Sequence, residues 1–144
     1  MKITIEEPPA GAEDEIIVRC RNISPELLNV LNSIKTPSNM FVGYIDNEVH
    51  RINPSDIYYF EAVDKKTFIY CEYDVYESKL KLYEVDELNI TDFFKISKSV
   101  IVNLNKIKSL TPSLSGSVEA VLTNKERVII SRRYVGELKK SLGI

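Results

Sequence analysis

The sequence has few of the residues from which catalytic and metal sites are usually built. Its 144 residues include one histidine, His50, and two widely separated cysteines, Cys20 and Cys71. It contains no CxxC pair, no His-rich spacing and no glycine-rich phosphate loop, which excludes the common zinc and nucleotide motifs. Two ordinary buried thiols are the simplest interpretation of the cysteines. We therefore expect a protein that is not an enzyme and that needs no metal or cofactor.

Long apolar runs are also missing. No segment approaches the roughly 20 consecutive apolar residues of a membrane-spanning helix. The N-terminus reaches Glu6-Glu7 and Pro8-Pro9 almost at once, which leaves no apolar core for a signal peptide. With 44% hydrophobic residues, the chain can still bury a core. These features predict a cytoplasmic protein with one domain and a modest N-terminal extension.

Charged residues are abundant but unevenly distributed. The whole chain carries a net charge of −2, and its first 50 residues contain 4 basic and 8 acidic side chains. Residues 51–94 contain 5 basic and 10 acidic side chains, whereas residues 95–144 contain 10 and 3. Nucleic-acid binding depends on local potential more than on total charge. The last third can therefore meet phosphates, although a solvated basic face without a partner fits the charge pattern equally well.

Residues 1–38 are expected to form a small α+β extension. Residues 2–6 and 15–21 have the pattern of two short strands, and the intervening Pro8–Gly11 is typical of a turn. An amphipathic helix follows and ends at Thr36–Asn39, which puts a domain boundary near residue 38.

The start of this helix is marked by Ser24-Pro25-Glu26. Serine can cap the first turn, proline suits the first helical position, and glutamate suits the positive end of the helix dipole. The apolar face is indicated by the helical spacing of Leu27, Val30, Leu31 and Ile34.

Residues 39–144 predict a mainly β domain with short helices. Strands are expected at 40–46, 48–53, 57–63, 67–72, 75–80, 117–123 and 126–131. Hairpin turns are expected at Asp46-Asn47, Tyr73-Asp74 and Asn124-Lys125, and a longer polar loop at Asp64–Lys66. An apolar stretch from Phe93 to Ile107 is interrupted at Ser97–Ser99. A short helix is expected at residues 82–88, and a final one from Arg132 to Leu142, with Ser131 as its cap and Gly143 as its stop.

Two basic loci lie between apolar strands. The first is Lys65-Lys66-Thr67, for which a polar hairpin tip is the plain alternative to a binding role. The second is Lys95-Ile96-Ser97-Lys98-Ser99, where two lysines and two hydroxyls meet at a break in the apolar pattern. Such groups suit phosphate oxygens and base edges, although a structural loop is also compatible with Ser97. Asn103 is interpreted as a turn or cap residue rather than a base reader.

The third basic locus is Ser131-Arg132-Arg133-Tyr134 at the start of the last helix. Cations in a first helical turn oppose the helix dipole by roughly 0.3–1 kcal/mol each. A phosphate bound there would reverse the sign, because it would gain from the amides and both guanidinium groups. The arginine pair therefore indicates a ligand-directed site, with a salt bridge to a nearby carboxylate as the competing explanation.

In combination, these segments resemble the LytTR-type DNA-binding domain of bacterial transcriptional regulators. The resemblance covers about residues 40–144, and its motifs occur in the family's order and spacing. They are Ile57-Tyr58-Tyr59-Phe60-Glu61-Ala62, Phe93 to Asn103, and Ile130-Ser131-Arg132-Arg133-Tyr134 followed by Leu138-Lys139.

The resemblance implies an elongated multi-sheet β domain of about ten strands. It further implies that loops, rather than a recognition helix, enter successive major grooves of double-stranded DNA. By position, the contacts carry over to the Lys65–Thr67 loop, to Lys98 with its neighbours, and to Arg133. Some family members have a histidine in the first loop, so phosphate contact is the expectation for Lys65-Lys66-Thr67 here.

Regulation also follows from the resemblance. Residues 1–38 are too short for the phospho-receiver domain that many members carry. The chain is therefore similar to stand-alone regulators, whose signal often comes from a neighbouring membrane protein.

The leading hypothesis is thus a sequence-specific regulator that acts as a homodimer on repeated half-sites. An alternative is a protein-interaction or ligand-sensing β module with a basic face. An enzyme that uses carboxylates such as Glu61, Asp64, Glu72 and Asp74 is the weakest reading. Clustering of the three basic loci would favour DNA, a deep apolar pocket would favour the sensor, and adjacent carboxylates in a cleft would favour the enzyme.

Overall fold

The computed structural model describes residues 2–35 and 40–144, and the chain divides into two compact units, Met1–Pro37 and Ser38–Ile144. In the first unit, helix α1 (Pro25–Lys35) begins where the sequence predicts. The Ser24 hydroxyl accepts a hydrogen bond from the Leu27 amide at 3.1 Å, so the expected serine cap is formed. The predicted helix end at Thr36–Asn39 lies outside the described residues. The division near residue 38 into separately folding domains stays a prediction.

The prediction of two strands before α1 is wrong. Residues 2–24 contain no strand, and residues 2–23 are all exposed. Short strands are stable only when they pair and bury a face, and these residues do neither. The intervening turn does form, since the Ala12 amide donates to the Pro9 carbonyl at 3.0 Å. Gly11 supplies the positive φ of 85° that this turn needs.

The second unit contains two antiparallel sheets. The larger has the order β2-β1-β5-β4-β3-β7-β6 and the smaller the order β10-β9-β8. The seven strands of the large sheet are β1 (Phe41–Ile45), β2 (Glu48–Ile52), β3 (Ile57–Val63), β4 (Lys66–Cys71), β5 (Val75–Ser78), β6 (Phe93–Lys95) and β7 (Val100–Asn103). The small sheet consists of β8 (Ile107–Pro112), β9 (Val118–Leu122) and β10 (Arg127–Ile130).

Short helices fill the connections. They are α2 (Leu82–Glu87) between β5 and β6, α3 (Arg132–Leu142) after β10, and two 3-10 turns at Pro54–Asp56 and Leu104–Lys106. Gly143 ends α3 as expected, in a left-handed conformation with φ of 73°. The mainly β class predicted from the sequence is therefore confirmed. No helix of the described residues is long and apolar enough to cross a membrane.

Two apolar clusters hold the second unit together, one on each face of the large sheet. The first cluster packs α2 on the sheet and is formed by Phe41, Ile52, Ile57, Phe60, Ile69, Leu82, Val85 and Ile101. The second cluster joins the large sheet, the small sheet and α3 and is formed by Tyr58, Ile96, Val102, Val118, Ala120, Leu122, Val128, Ile130 and Leu138. Successive β7 residues Ile101 and Val102 thus serve opposite faces.

A bulge in β3 interrupts the alternation of its side chains between the two faces of the large sheet. The β3–β4 register shifts between Ile57 and Tyr59. Ile57 and Phe60 consequently lie in the α2 cluster, while Tyr58 lies in the other. The Tyr58 hydroxyl accepts a hydrogen bond from Thr123 at 3.2 Å, which connects β3 to the β9–β10 turn.

Asn103 is buried and caps the 3-10 turn at Leu104–Lys106, which confirms its interpretation as a turn or cap residue. Its Nδ2 donates to the Ile57 carbonyl at 2.9 Å, and its Oδ1 accepts from the Asn105 amide at 3.0 Å. The side chain is 2% exposed, so water cannot replace these partners without rearrangement.

We expect Asn103→Ala to lower the free energy of unfolding by about 1–3 kcal/mol, because it leaves a buried carbonyl and an amide unpaired. Asn105→Ala is the matched control, since Asn105 is exposed and keeps its amide. It should cost less than about 0.5 kcal/mol. Urea unfolding followed by circular dichroism measures both, and equal losses would contradict the role given to Asn103.

Candidate nucleic-acid interface

The β6–β7 loop is anchored by its first residue and presents Lys98 to solvent. The Ile96 side chain is fully buried in the cluster that joins the two sheets. Its amide donates to the Val100 carbonyl at 3.0 Å, and the Ser97 hydroxyl accepts from the Ser99 amide at 3.2 Å. Lys98, between these two serines, is exposed. The loop therefore holds a lysine at the tip of a rigid turn.

The first locus is a tight turn rather than the longer loop that the sequence predicts. Val63 pairs with Lys66, so only Asp64 and Lys65 connect β3 to β4. Both have positive φ, 50° and 65°, which is the geometry of a type I′ hairpin turn. The Lys81 ammonium donates to the Lys65 carbonyl at 2.9 Å and steadies the tip.

The third locus is the first turn of α3. Ser131 occupies the N-cap position, but its hydroxyl makes no capping hydrogen bond, contrary to the sequence-based expectation. Arg132 and Arg133 follow and are exposed. The Arg133 guanidinium lies 5.9 Å from the Tyr134 ring centroid. Among the described residues, Arg127 pairs with Glu119 and His50 lies 3.2 Å from Glu48, and the competing salt bridge to Arg132 or Arg133 is not formed.

Two backbone hydrogen bonds bring the three loci together. The Ser131 amide donates to the Ile96 carbonyl at 2.8 Å, which fixes the start of α3 against the β6–β7 loop. The Ala62 amide donates to the Ser99 carbonyl at 2.8 Å, which fixes the other side of that loop to the end of β3. Because the β3–β4 turn begins two residues after Ala62, Lys65, Lys98 and Arg133 belong to one contiguous edge of the unit. We call this edge the basic edge.

Not every predicted site residue can reach a ligand at the basic edge. Thr67 is 2% exposed and is paired with Ala62 and Ser78 inside the large sheet, so this structure does not present its side chain at the basic edge. Lys66, its neighbour, is exposed. Lys95 is half-buried in β6, and the Ser97 hydroxyl accepts the hydrogen bond from Ser99 that shapes the loop. Lys65, Lys66, Lys98, Arg132 and Arg133 remain as freely exposed cations.

Sequence reasoning missed Lys81 as a support of the basic edge. Its contact with Lys65 spans 16 positions and is made to a backbone carbonyl. No motif or periodicity marks such a contact, because any long polar side chain at the end of a neighbouring strand can make it. It became visible only through the pairing of β4 with β5.

A polar cleft of about 270 Å³ lies at the opposite end of the large sheet. Its lining includes three carboxylates, from Asp56, Glu72 and Asp74, together with Lys106. The one thiol there belongs to Cys71, whose pKa is raised to about 11, mainly by burial. A thiol of that pKa is protonated at neutral pH and is a poor nucleophile. This cleft therefore brings three carboxylates together beside Lys106 and a protonated thiol.

Comparison with known proteins identifies the class. The model of the LytTr DNA-binding domain family matches residues 47–143. The solved LytTr DNA-binding domain of a Bacillus cereus protein superimposes with a TM-score of 0.71 at 30% sequence identity, covering 76% of this chain and 100% of that domain. The chain belongs to the LytTr DNA-binding domain family.

Full-length relatives are found in Staphylococcus aureus. HTH-type transcriptional regulators of strains MSSA476 and MW2 are each 30% identical over 146 residues, covering 100% of this chain and 99% of each relative. The regulator of strain MRSA252 is 29% identical with the same coverage. The similarity therefore includes the N-terminal unit as well as the family domain.

The arginines at the start of α3 are expected to reduce stability. Arg133→Glu should raise the free energy of unfolding by about 1 kcal/mol, because it exchanges an unfavourable charge for a favourable one at the positive end of the dipole. Lys139→Glu is the matched control in the last turn, where the same swap should lower stability by a similar amount. Thermal melts at low and high salt measure both, and a loss of stability in Arg133→Glu would mean that this arginine is structural.

Proposed function

We propose that this protein is a sequence-specific DNA-binding transcriptional regulator that contacts DNA through the basic edge. The observation that carries the proposal is the pair of hydrogen bonds, Ala62 to Ser99 and Ser131 to Ile96, that unites the three basic loci. Membership of a DNA-binding domain family and the names of the staphylococcal relatives support it. Bacterial DNA lies in the cytoplasm, which is where we propose that the protein acts.

The mode of contact follows from the shape of the basic edge. Lys65, Lys98 and Arg133 are presented by a hairpin turn, a loop and a helix start, each held by backbone hydrogen bonds. A rigid row of such cations suits phosphates along one stretch of duplex, and Arg133 also suits the paired acceptors on a guanine edge. We therefore propose that Arg133 and Lys98 read bases in successive major grooves, while Lys65 and Lys66 contact phosphates.

The alternative of a ligand-sensing or protein-interaction module rests on one feature. A shallow groove of about 380 Å³ is lined by apolar side chains, including Phe41, Tyr44, Leu80 and Leu88. It lies open at the surface rather than forming a deep pocket, and it bears one cation, Lys79. The clustered cations favour DNA as the principal ligand.

Substitution of single cations tests the DNA contact. Arg133→Ala should weaken binding to a selected duplex by about 1–3 kcal/mol and relax the preference at one base position. Lys98→Ala should have an effect of similar size. Lys65→Ala or Lys66→Ala should weaken binding to all sequences alike and reduce the salt slope by about 1. Fluorescence anisotropy titrations at several salt concentrations measure these effects.

Lys125→Ala is the matched control for these variants. Lys125 is also an exposed basic turn residue, but it lies in the β9–β10 turn at the far end of the small sheet. It should change affinity by less than twofold. A flat salt dependence of the unmodified protein, or equal losses for Lys125→Ala and Arg133→Ala, would contradict the proposal.

We further propose that the regulator acts as a homodimer on repeated half-sites and receives its signal from a membrane protein. Helix α1 supports a role in association, because its Leu28 side chain is about half exposed. Analytical ultracentrifugation of the full chain, alone and with a duplex carrying two half-sites, should show two copies per duplex. A single copy on that duplex at saturation would contradict the dimer.

A further inference from the structure

The β8–β9 loop, Ser113 to Ser117, is compact and rich in hydroxyl groups. The Ser113 amide donates to the Ser117 carbonyl at 3.0 Å, and the Gly116 amide to the Ser113 carbonyl at 3.2 Å. The hydroxyls of Ser113, Ser115 and Ser117 lie within 2.7–3.0 Å of one another. All three serines are solvent-accessible, so their protons can turn toward an external acceptor.

This loop lies beside the arginines of the basic edge. Val118, the first residue of β9, is paired with Pro112 on one side and with Ile130 on the other. The loop and the start of α3 therefore share one end of the small sheet. The Arg132 side chain runs directly over Gly116, since a Cβ added to that glycine would lie 2.6 Å from Cδ of Arg132.

Leu114 projects from the loop and is fully exposed, more than any other large apolar side chain of the described residues. A single exposed leucine is ordinary on a protein surface. Leu114 is unusual because it projects from a hydrogen-bonded turn whose Gly116 lies against the Arg132 side chain. An apolar side chain in such a place can pack against deoxyribose or a thymine methyl group.

The charge around the loop is favourable to a polyanion. The Arg132 side chain lies against Gly116, and the nearby Glu119 carboxylate is paired with Arg127 at 2.6 Å. The loop itself has no charge, so nothing in it repels a phosphate.

We propose that the Ser113–Ser117 loop is a further DNA-contacting element, beside those that the sequence motifs indicate. Leu114 packs on the sugars and base edges of the groove next to Arg133, and the serine hydroxyls donate to the flanking phosphates. This inference rests on the proposed function, because the loop extends the basic edge.

The test compares one substitution at two exposed sites. Leu114→Asp should raise the Kd for a selected duplex at least tenfold, since it puts a carboxylate against phosphates and removes the apolar contact. Tyr73→Asp is the matched control, because Tyr73 is 89% exposed and lines the cleft at the other end of the large sheet. It adds the same charge and should change the Kd less than twofold. Thermal melts should show both variants folded.

A neutral substitution of Leu114 separates the loss of the apolar contact from the effect of an added charge. Leu114→Ala should raise the Kd several-fold without changing the salt slope, because no ion is gained or lost. If Leu114→Asp stays within twofold of Tyr73→Asp while the unmodified protein binds specifically, the loop is not a contact and the proposed function stands. If the unmodified protein shows no specific DNA binding, both proposals are wrong.

A tethered cleavage reagent gives an independent readout. An iron chelate attached to Leu114→Cys in a Cys20→Ser background should cut the duplex beside the bases affected by Arg133→Ala. Cys71 should remain unlabelled near neutral pH, because burial raises the pKa of its thiol to about 11. The same reagent on Tyr73→Cys should give no localised cuts. Cutting that is equal from the two positions would overturn the proposal.

Discussion

The hydrogen bond from the Ser131 amide to the Ile96 carbonyl is the constraint on which the basic edge depends. Three interactions hold Ile96 in place. Its side chain is fully buried, its amide donates to the Val100 carbonyl, and its carbonyl accepts from the Ser131 amide. The β6–β7 loop cannot leave α3 without opening the core between the two sheets. Lys98 and Arg133, which lie 35 positions apart in the sequence, are thereby held on one rigid support. Such preorganisation lowers the entropic cost of ordering these segments when a ligand binds.

The sequence predicts most strands because alternation of apolar residues records which face of a strand is buried. The same reasoning fails at residues 2–6 and 15–21, where the pattern has no partner strand and no core to pack on. It also misjudges the β3–β4 connection. Asp64 and Lys65 adopt positive φ without the glycine that usually signals such a turn, so the loop looks longer in sequence than it is. This one-residue shift makes Thr67 an interior strand residue and explains its burial.

The candidate site can be predicted only in part from the sequence. Unfavourable cations at a helix start mark Arg132 and Arg133, and a break in an apolar pattern marks Lys98, because each is a local departure from what stability prefers. Their proximity could not be derived in the same way. It depends on the antiparallel pairing of β3 with β7 and on two hydrogen bonds between residues that no motif connects. The Ser113–Ser117 loop illustrates the same limit, since strand pairing in the small sheet and a contact with Arg132 relate it to the site.

The staphylococcal relatives are named HTH-type regulators, yet the described residues contain no two helices joined by a short turn. Helix α2 is followed by β6, and α3 follows β10. In the helix-turn-helix motif, a recognition helix lies in the major groove while the first helix crosses the backbone. Here α3 instead offers its N-terminal end, where two arginines oppose the dipole and the Ser131 hydroxyl leaves the first turn uncapped. A phosphate at this position would relieve both costs at once, because it would accept hydrogen bonds at the helix start and neutralise the guanidinium groups. The features that make this helix start unfavourable in isolation are therefore those that a bound anion would compensate.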